Sequence, residues 1–178
     1  LTMPELPDVE TFREYFETHA LNKTVAGVSV PDARILEDTT AQALGRVLKK
    51  KQFVETLRHG KFLFAAVEGG WLVLHFGMTG GLACFDADQD PPEYAKAVFR
   101  LSGSKCLAYL CKRMLGRVGF TGNVDDYRKD QDLGPDALLL MRREDVQDSA
   151  DRLRRLARVD RGKHELTGLG QSQGRAYG

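Results

Sequence analysis

Between residues 46 and 120 the chain is cut into short apolar runs by Gly69-Gly70, Gly80-Gly81, Pro91-Pro92 and Ser102-Gly103. The runs, about 46–57, 62–67, 71–76, 81–85, 94–101, 105–111 and 117–120, are rich in β-branched and aromatic residues, and a further run at 24–30 stops at Pro31. Segments this short, separated by turn residues with no helical stretch between them, cannot build βαβ units; they predict a β-sandwich or barrel.

Helices flank this block. Val9, Phe12, Phe16 and Ala20 recur at helical spacing after Pro7, with Asp8 and Glu10 near the start, so the first helix is predicted from about Pro7 to about Leu21. A short helix capped by a Thr is predicted over 39–44. From Arg142 the pattern is helical again, with Val146, Ala150, Leu153 and Ala157 on one face and Arg152, Arg154, Arg155, Arg158 and Arg161 around it. A solvated basic face explains those arginines as well as a DNA contact does.

The 178 residues, 42% hydrophobic and 29% charged, fit one full domain and part of another. Net charge is only +1, so any nucleic-acid surface must be a local basic patch. Apolar runs fall short of the ~20 residues of a membrane helix, so no membrane association is expected. Cys84, Cys106 and Cys111 form no Cys-x-x-Cys pair and sit in apolar stretches. Reduced core thiols in a cytoplasmic protein are therefore expected, with no metal and no cofactor in this chain.

The chemistry-bearing stretch is Met3-Pro4-Glu5-Leu6-Pro7-Asp8-Val9-Glu10. With Met3 removed, Pro4 would carry a free secondary amine. An α-amino group titrates near pH ~7.7–8.0, against ~10.4 for lysine, so part of it is unprotonated at neutral pH. Such an amine can form an iminium with a sugar carbon, and Glu5 behind it can move protons. A proline at a helix start is the plainer reading of these residues alone. Lys61, after Gly60, reads equally as a solvated loop lysine, and Met78, between Gly77 and Thr79-Gly80, as a loop residue folded onto apolar surface.

Pro4-Glu5-Leu6-Pro7-Asp8-Val9-Glu10 resembles the opening signature of the formamidopyrimidine-DNA glycosylase and endonuclease VIII family of base-excision repair enzymes. Arg58-His59-Gly60-Lys61-Phe62-Leu63 resembles that family's lysine loop, and His75-Phe76-Gly77-Met78-Thr79-Gly80 its wedge-methionine loop. Leu133-Gly134-Pro135-Asp136-Ala137-Leu138 resembles its linker into a helical domain. The similarity spans roughly residues 3–138 with the motifs in order.

The resemblance implies a mainly β fold with flanking helices. This is a two-layer β-sandwich over residues 1–138, followed by a short helical segment, 139–178, corresponding to a partial or degenerate helix-two-turn-helix domain. It implies a bifunctional DNA glycosylase and AP lyase acting on damaged double-stranded DNA, expected as a monomer. Pro4, Glu5 and Lys61 would be catalytic; Met78, Arg113, Leu115, Arg58 and Lys112 would bind DNA. Leu1-Thr2-Met3 ahead of Pro4 would make its nitrogen an amide, so the chain in this form is expected to be inert. The family's C-terminal zinc finger falls outside this sequence.

There are departures. Cys111-Lys112 stands where the family has Asp-Pro, Leu115 where it has a phenylalanine wedge, and Gln171 where a phosphate-loop asparagine is expected. Around Pro92-Glu93-Tyr94-Ala95-Lys96-Ala97 the family's histidines and aspartate are missing, leaving Tyr94 and Lys96 as substitute phosphate contacts. A non-catalytic DNA-binding homologue is therefore the alternative, and an unrelated sandwich module the third reading. Covalent capture and cutting of an abasic-site duplex separates the enzyme from the binder.

Overall fold

The structure, a computed structural model, describes residues 6–135. In order come α1 (Leu6–Ala20), β1 (Val25–Ser29), a 3-10 turn (Ala33–Ile35), α2 (Ala41–Leu48), β2 (Glu55–His59), β3 (Phe62–Val67), β4 (Gly70–His75), β5 (Gly80–Asp86), β6 (Ala95–Leu101), β7 (Lys105–Cys111), β8 (Arg117–Thr121) and α3 (Val124–Asp130). The strands form two antiparallel four-stranded sheets, ordered β1-β6-β7-β5 and β2-β3-β4-β8. Of the two architectures that the strand rhythm allows, the sandwich is the one adopted. The chain divides into two compact units, Leu1–Gly134 and Pro135–Gly178. The helical segment expected from Arg142 onward lies outside the described residues, as do Pro4 and Glu5.

Alternation along the strands builds the core. Leu63, Ala65 and Val67 of β3 meet Ala97, Phe99 and Leu101 of β6 and Leu107, Tyr109 and Cys111 of β7 in one buried cluster. The α1 stripe joins it: Val9, Phe16 and Ala20 are fully buried and Phe12 packs alongside. Burying each large apolar side chain contributes about 1.5–3 kcal/mol. Helix α1 touches β2, β3 and β5, so it bridges an edge strand of each sheet.

Three sequence expectations need correction. Residues 46–48 are not strand: α2 runs to Leu48 because Leu44 and Leu48 share a buried face, and its N-cap Thr40 accepts the Ala43 N–H. The chain then bridges to the start of β1 through Lys50 N–H to Val25 carbonyl and Val25 N–H to Lys51 carbonyl. The strand proper begins at Glu55. Finally, α3 was not foreseen, since Val-Asp-Asp-Tyr-Arg-Lys-Asp reads as polar loop. It forms because Asn123 caps the N–H groups of Asp125 and Asp126, while Val124 and Tyr127 cover Phe64 and Val73 on the outer face of β3 and β4. That cover explains why β3 is buried on both faces without polar alternation.

Candidate nucleic-acid interface

One end of the sandwich collects the chemistry-bearing loops. His59 ends β2 opposite Phe62 of β3; Phe62 lies opposite His75, which ends β4; His75 lies opposite Arg117, which opens β8. In the other sheet Gly80 opens β5 opposite Cys111, the last residue of β7, and Ala95 opens β6 opposite Leu110. Two connections therefore cross between the sheets at this end: 76–79, carrying Met78, and 112–116, carrying Lys112, Arg113 and Leu115.

The crossings are locked together. The Arg113 N–H donates to Thr79 Oγ1 at 3.1 Å, and the Gly80 N–H to the Phe76 carbonyl at 2.7 Å. From the middle of the core, the Tyr109 hydroxyl donates to the His75 carbonyl at 2.6 Å. Burial pushes the Tyr109 phenol well above its ordinary range, so it remains a donor. Glycine is required where the loops touch. Gly77 has φ +57° and a Cβ there would lie 2.4 Å from the Leu115 carbonyl oxygen; at Gly116 it would lie 1.8 Å from the Tyr109 hydroxyl. Packing over-determines this loop pair, which also holds Met114 at φ +54°.

What the loops present outward is apolar and cationic. Leu115 is 47% exposed, and Met78 is half-buried. Lys112 and Arg113 are exposed, and the Arg113 guanidinium makes no hydrogen bond or ion pair among the described residues.

Lys61 and Arg58 part company. Lys61 sits half-buried on the β2–β3 turn, where Gly60 takes φ +54°. Arg58, expected in a basic turn beside it, is buried within β2: its Nε donates to Glu10 Oε2 at 3.0 Å and its Nη1 to the Gly60 carbonyl at 2.9 Å. The guanidinium braces α1 and the turn from behind instead of facing a phosphate. Glu10 also binds Arg13, chiefly through which its carboxyl is held below the usual value. On the far side of the turn, His59 Nε2 donates to the Gly134 carbonyl at 2.8 Å.

His75 is the residue that sequence reasoning passed over, although it opens the methionine-loop motif. Its Nδ1 is buried and has no hydrogen-bond partner among the described residues. Burial first, then Arg117 and Lys61, lower its pKa against an opposing pull from Glu37, so the ring is neutral at pH 7. The ring lies near Lys61, whose charge it feels, at the strand end that leads into the Met78 loop. Lys96, by contrast, lies 3.7 Å from Asp32, whose carboxyl is already bonded to Arg34, and so is engaged away from the loops. The described residues contain no cluster of His, Cys, Asp and Glu able to hold a metal ion. All three cysteines are free thiols. No described helix is long and apolar enough to cross a membrane.

Residues 3–118 match the family profile of the formamidopyrimidine-DNA glycosylase N-terminal domain. The chain belongs to the formamidopyrimidine-DNA glycosylase family. Two curated formamidopyrimidine-DNA glycosylases, from Cronobacter sakazakii and Escherichia coli, are 27% and 29% identical to it over 136 residues, 76% of this chain and 50% of each relative. It thus spans about half the length of the curated relatives it matches. The crystal structure of Lactococcus lactis formamidopyrimidine-DNA glycosylase, bound non-covalently to DNA containing an AP site, superposes with a TM-score of 0.69 at 22% identity, covering 74% of this chain and 51% of that one.

Within this formamidopyrimidine-DNA glycosylase domain, Lys61, Met78, Lys112, Arg113 and Leu115 come to one end of the sandwich from separate loops. Helix α1 opens at Leu6, two residues after Pro4, and the Glu10–Arg58 pair ties its N-terminal part to the turn that carries Lys61. Arg58 is at this end but points inward.

Proposed function

We propose that this chain supplies the N-terminal domain of a base-excision repair enzyme, a DNA glycosylase and AP lyase working through the Pro4 amine. The observation that carries the reading is the interlocked pair of crossover loops. It holds an exposed Leu115, an exposed Arg113 and Met78 together at the end where α1 opens.

A base within a duplex is out of reach, so the enzyme must extrude it and fill the gap. Met78 and Leu115 are the apolar fillers, and Arg113 offers donors to the base left behind. The Pro4 nitrogen attacks the sugar's C1′, and the base leaves with the electron pair of the broken bond. The attacking nitrogen loses its proton, the C1′–O4′ bond breaks as O4′ takes up a proton, and the resulting iminium makes a C2′ proton acidic; its loss expels the 3′ phosphate. Glu5 moves protons at the sugar. Lys61 and neutral His75 hold the adjacent phosphate.

The test compares three forms of the protein, each extended through whatever natural C-terminal domain follows. One keeps Leu1-Thr2-Met3, one begins at Pro4, and one begins with glycine in place of Pro4. Each is incubated with an abasic-site duplex and sodium borohydride, which reduces an iminium to a permanent crosslink. Crosslinking is expected from the Pro4 form, none from the extended form, and less from the glycine form. Equal crosslinking by the extended form moves the nucleophile to a lysine. Binding without crosslinking in any form makes the domain a non-catalytic reader of damaged DNA.

A further inference from the structure

Tyr94 is the only aromatic residue among the described non-glycine residues with positive φ, at +66°. Nothing about β6 demands a tyrosine there, since the strand itself starts at Ala95. The side chain is 39% exposed instead of packing on the sandwich. Its backbone carbonyl accepts the Cys111 N–H at 3.0 Å, which pins it to the root of the 112–116 crossing. Its ring lies under the Lys112 ammonium, 5.1 Å from nitrogen to ring centroid. An L residue persists in this backbone conformation only where its surroundings enforce it, and such outliers concentrate at functional sites.

The effect is to fix a long, otherwise mobile lysine. Lys112 sits next in sequence to Arg113 and is itself exposed. A cation over an aromatic face keeps its other N–H groups available, while the ring removes much of the side chain's freedom. We propose that Lys112 is a DNA-phosphate contact, held in place by Tyr94 as a positioning residue, so that the strand beside the Arg113 loop is gripped on its backbone. This rests on the DNA-binding reading above and adds a phosphate subsite that Lys96, engaged by Asp32, does not provide.

The experiment uses the protein extended, as above, through whatever natural C-terminal domain follows, and a fluorescent duplex containing a stable abasic analogue, titrated between about 50 mM and 200 mM salt. Each phosphate neutralised adds about 0.9 to the slope of log affinity against log salt. Lys112→Met is expected to weaken binding and flatten that slope by about 0.9, while Lys112→Arg retains both. Tyr94→Leu is expected to weaken binding several-fold, whereas Tyr94→Phe, which keeps the ring, matches the parent. Unfolding temperatures of all variants, measured alongside, separate a folding defect from a lost contact. If the parent binds and Lys112→Met leaves the slope unchanged, the subsite is wrong and the DNA-binding reading stands. If Tyr94→Phe is as damaging as Tyr94→Leu, the positioning role of the ring is wrong. If the parent shows no salt-dependent binding at all, the broader reading fails with it.

Discussion

The Arg58 guanidinium lies behind the turn that carries Lys61, with Nε 3.0 Å from Glu10 Oε2 and only 5% of the side chain exposed. Helix and hairpin are thereby joined by a nearly desolvated charge. Glu10→Gln should destabilise the domain by about 1.5–3 kcal/mol, the usual range for a hydrogen bond to a charged group. The pH dependence has a definite sign. The Glu10 carboxyl is held below its ordinary 4.5, so its contribution is complete above that pH and disappears as pH falls through the folded value. Urea unfolding of parent and Glu10→Gln should therefore differ at pH 7 and converge in acid. A gap that does not narrow as the pH is taken down from 4.5 into strong acid would show that Glu10 is not the titrating partner.

Gly116 and Tyr109 are coupled through space. A methyl at 116 would meet the Tyr109 hydroxyl at 1.8 Å and the His75 carbonyl oxygen at 2.7 Å. Gly116→Ala should destabilise strongly. Tyr109→Phe alone should cost about 1–3 kcal/mol by leaving the buried His75 carbonyl without its donor. Since the phenylalanine vacates the first clash but not the second, the double variant should be more stable than the sum of the two losses. Simple additivity in a denaturation double-mutant cycle would contradict this packing.

His75 should titrate below the ordinary histidine value of 6.5 in the free protein, because burial and the charges of Arg117 and Lys61 disfavour its protonated form. With the folded value depressed, stability is full above 6.5 and declines as pH falls towards the folded value. Replacing His75 with Gln should flatten that decline. If the unpartnered Nδ1 serves a phosphate, saturating duplex should move the titration upward in an NMR experiment. An unchanged value in the complex would remove His75 from the interface.

Leu115→Ala should leave folding intact, since the side chain is 47% exposed. Its effect should appear in recognition: about tenfold less preference for an abasic duplex over an intact one, which corresponds to ~1.4 kcal/mol. Met78→Ala should act in the same direction. Equal losses on both duplexes would mean that these side chains touch DNA without filling a gap.

The sequence carried the strands and the site loops with different fidelity. Gly69-Gly70 and Ser102-Gly103 mark turns by backbone chemistry alone, so β3, β4, β6 and β7 could be placed within a residue or so. The α1 stripe was equally plain in Val9, Phe12, Phe16 and Ala20. Helix α2 was cut short because Val47 and Leu48 suit a strand as well as a helix, and only packing decides. Helix α3 was hidden because its reason for existing, the uncovered rings and branches of Phe64 and Val73, lies some sixty residues away in sequence. At the candidate site, the ordered motifs singled out Lys61, Met78 and Arg113 as candidates. They could not show that Arg58 turns inward, because its partner Glu10 belongs to a distant helix. Nor could they show that Tyr94 and Lys112 meet, since that contact depends on a left-handed backbone at a tyrosine.

The Tyr109 hydroxyl, rooted in one sheet, holds the last carbonyl of a strand in the other. This strut spans the gap between the layers and ends at the loop bearing Met78. Substitutions deep among Leu74, Phe99 and Leu107, far from any DNA, would alter that spacing and be felt at the tip. For an engineer seeking a hardier domain, the interior is a tuning screw, and under the proposed DNA-binding role its surface alone is an incomplete map of what governs recognition.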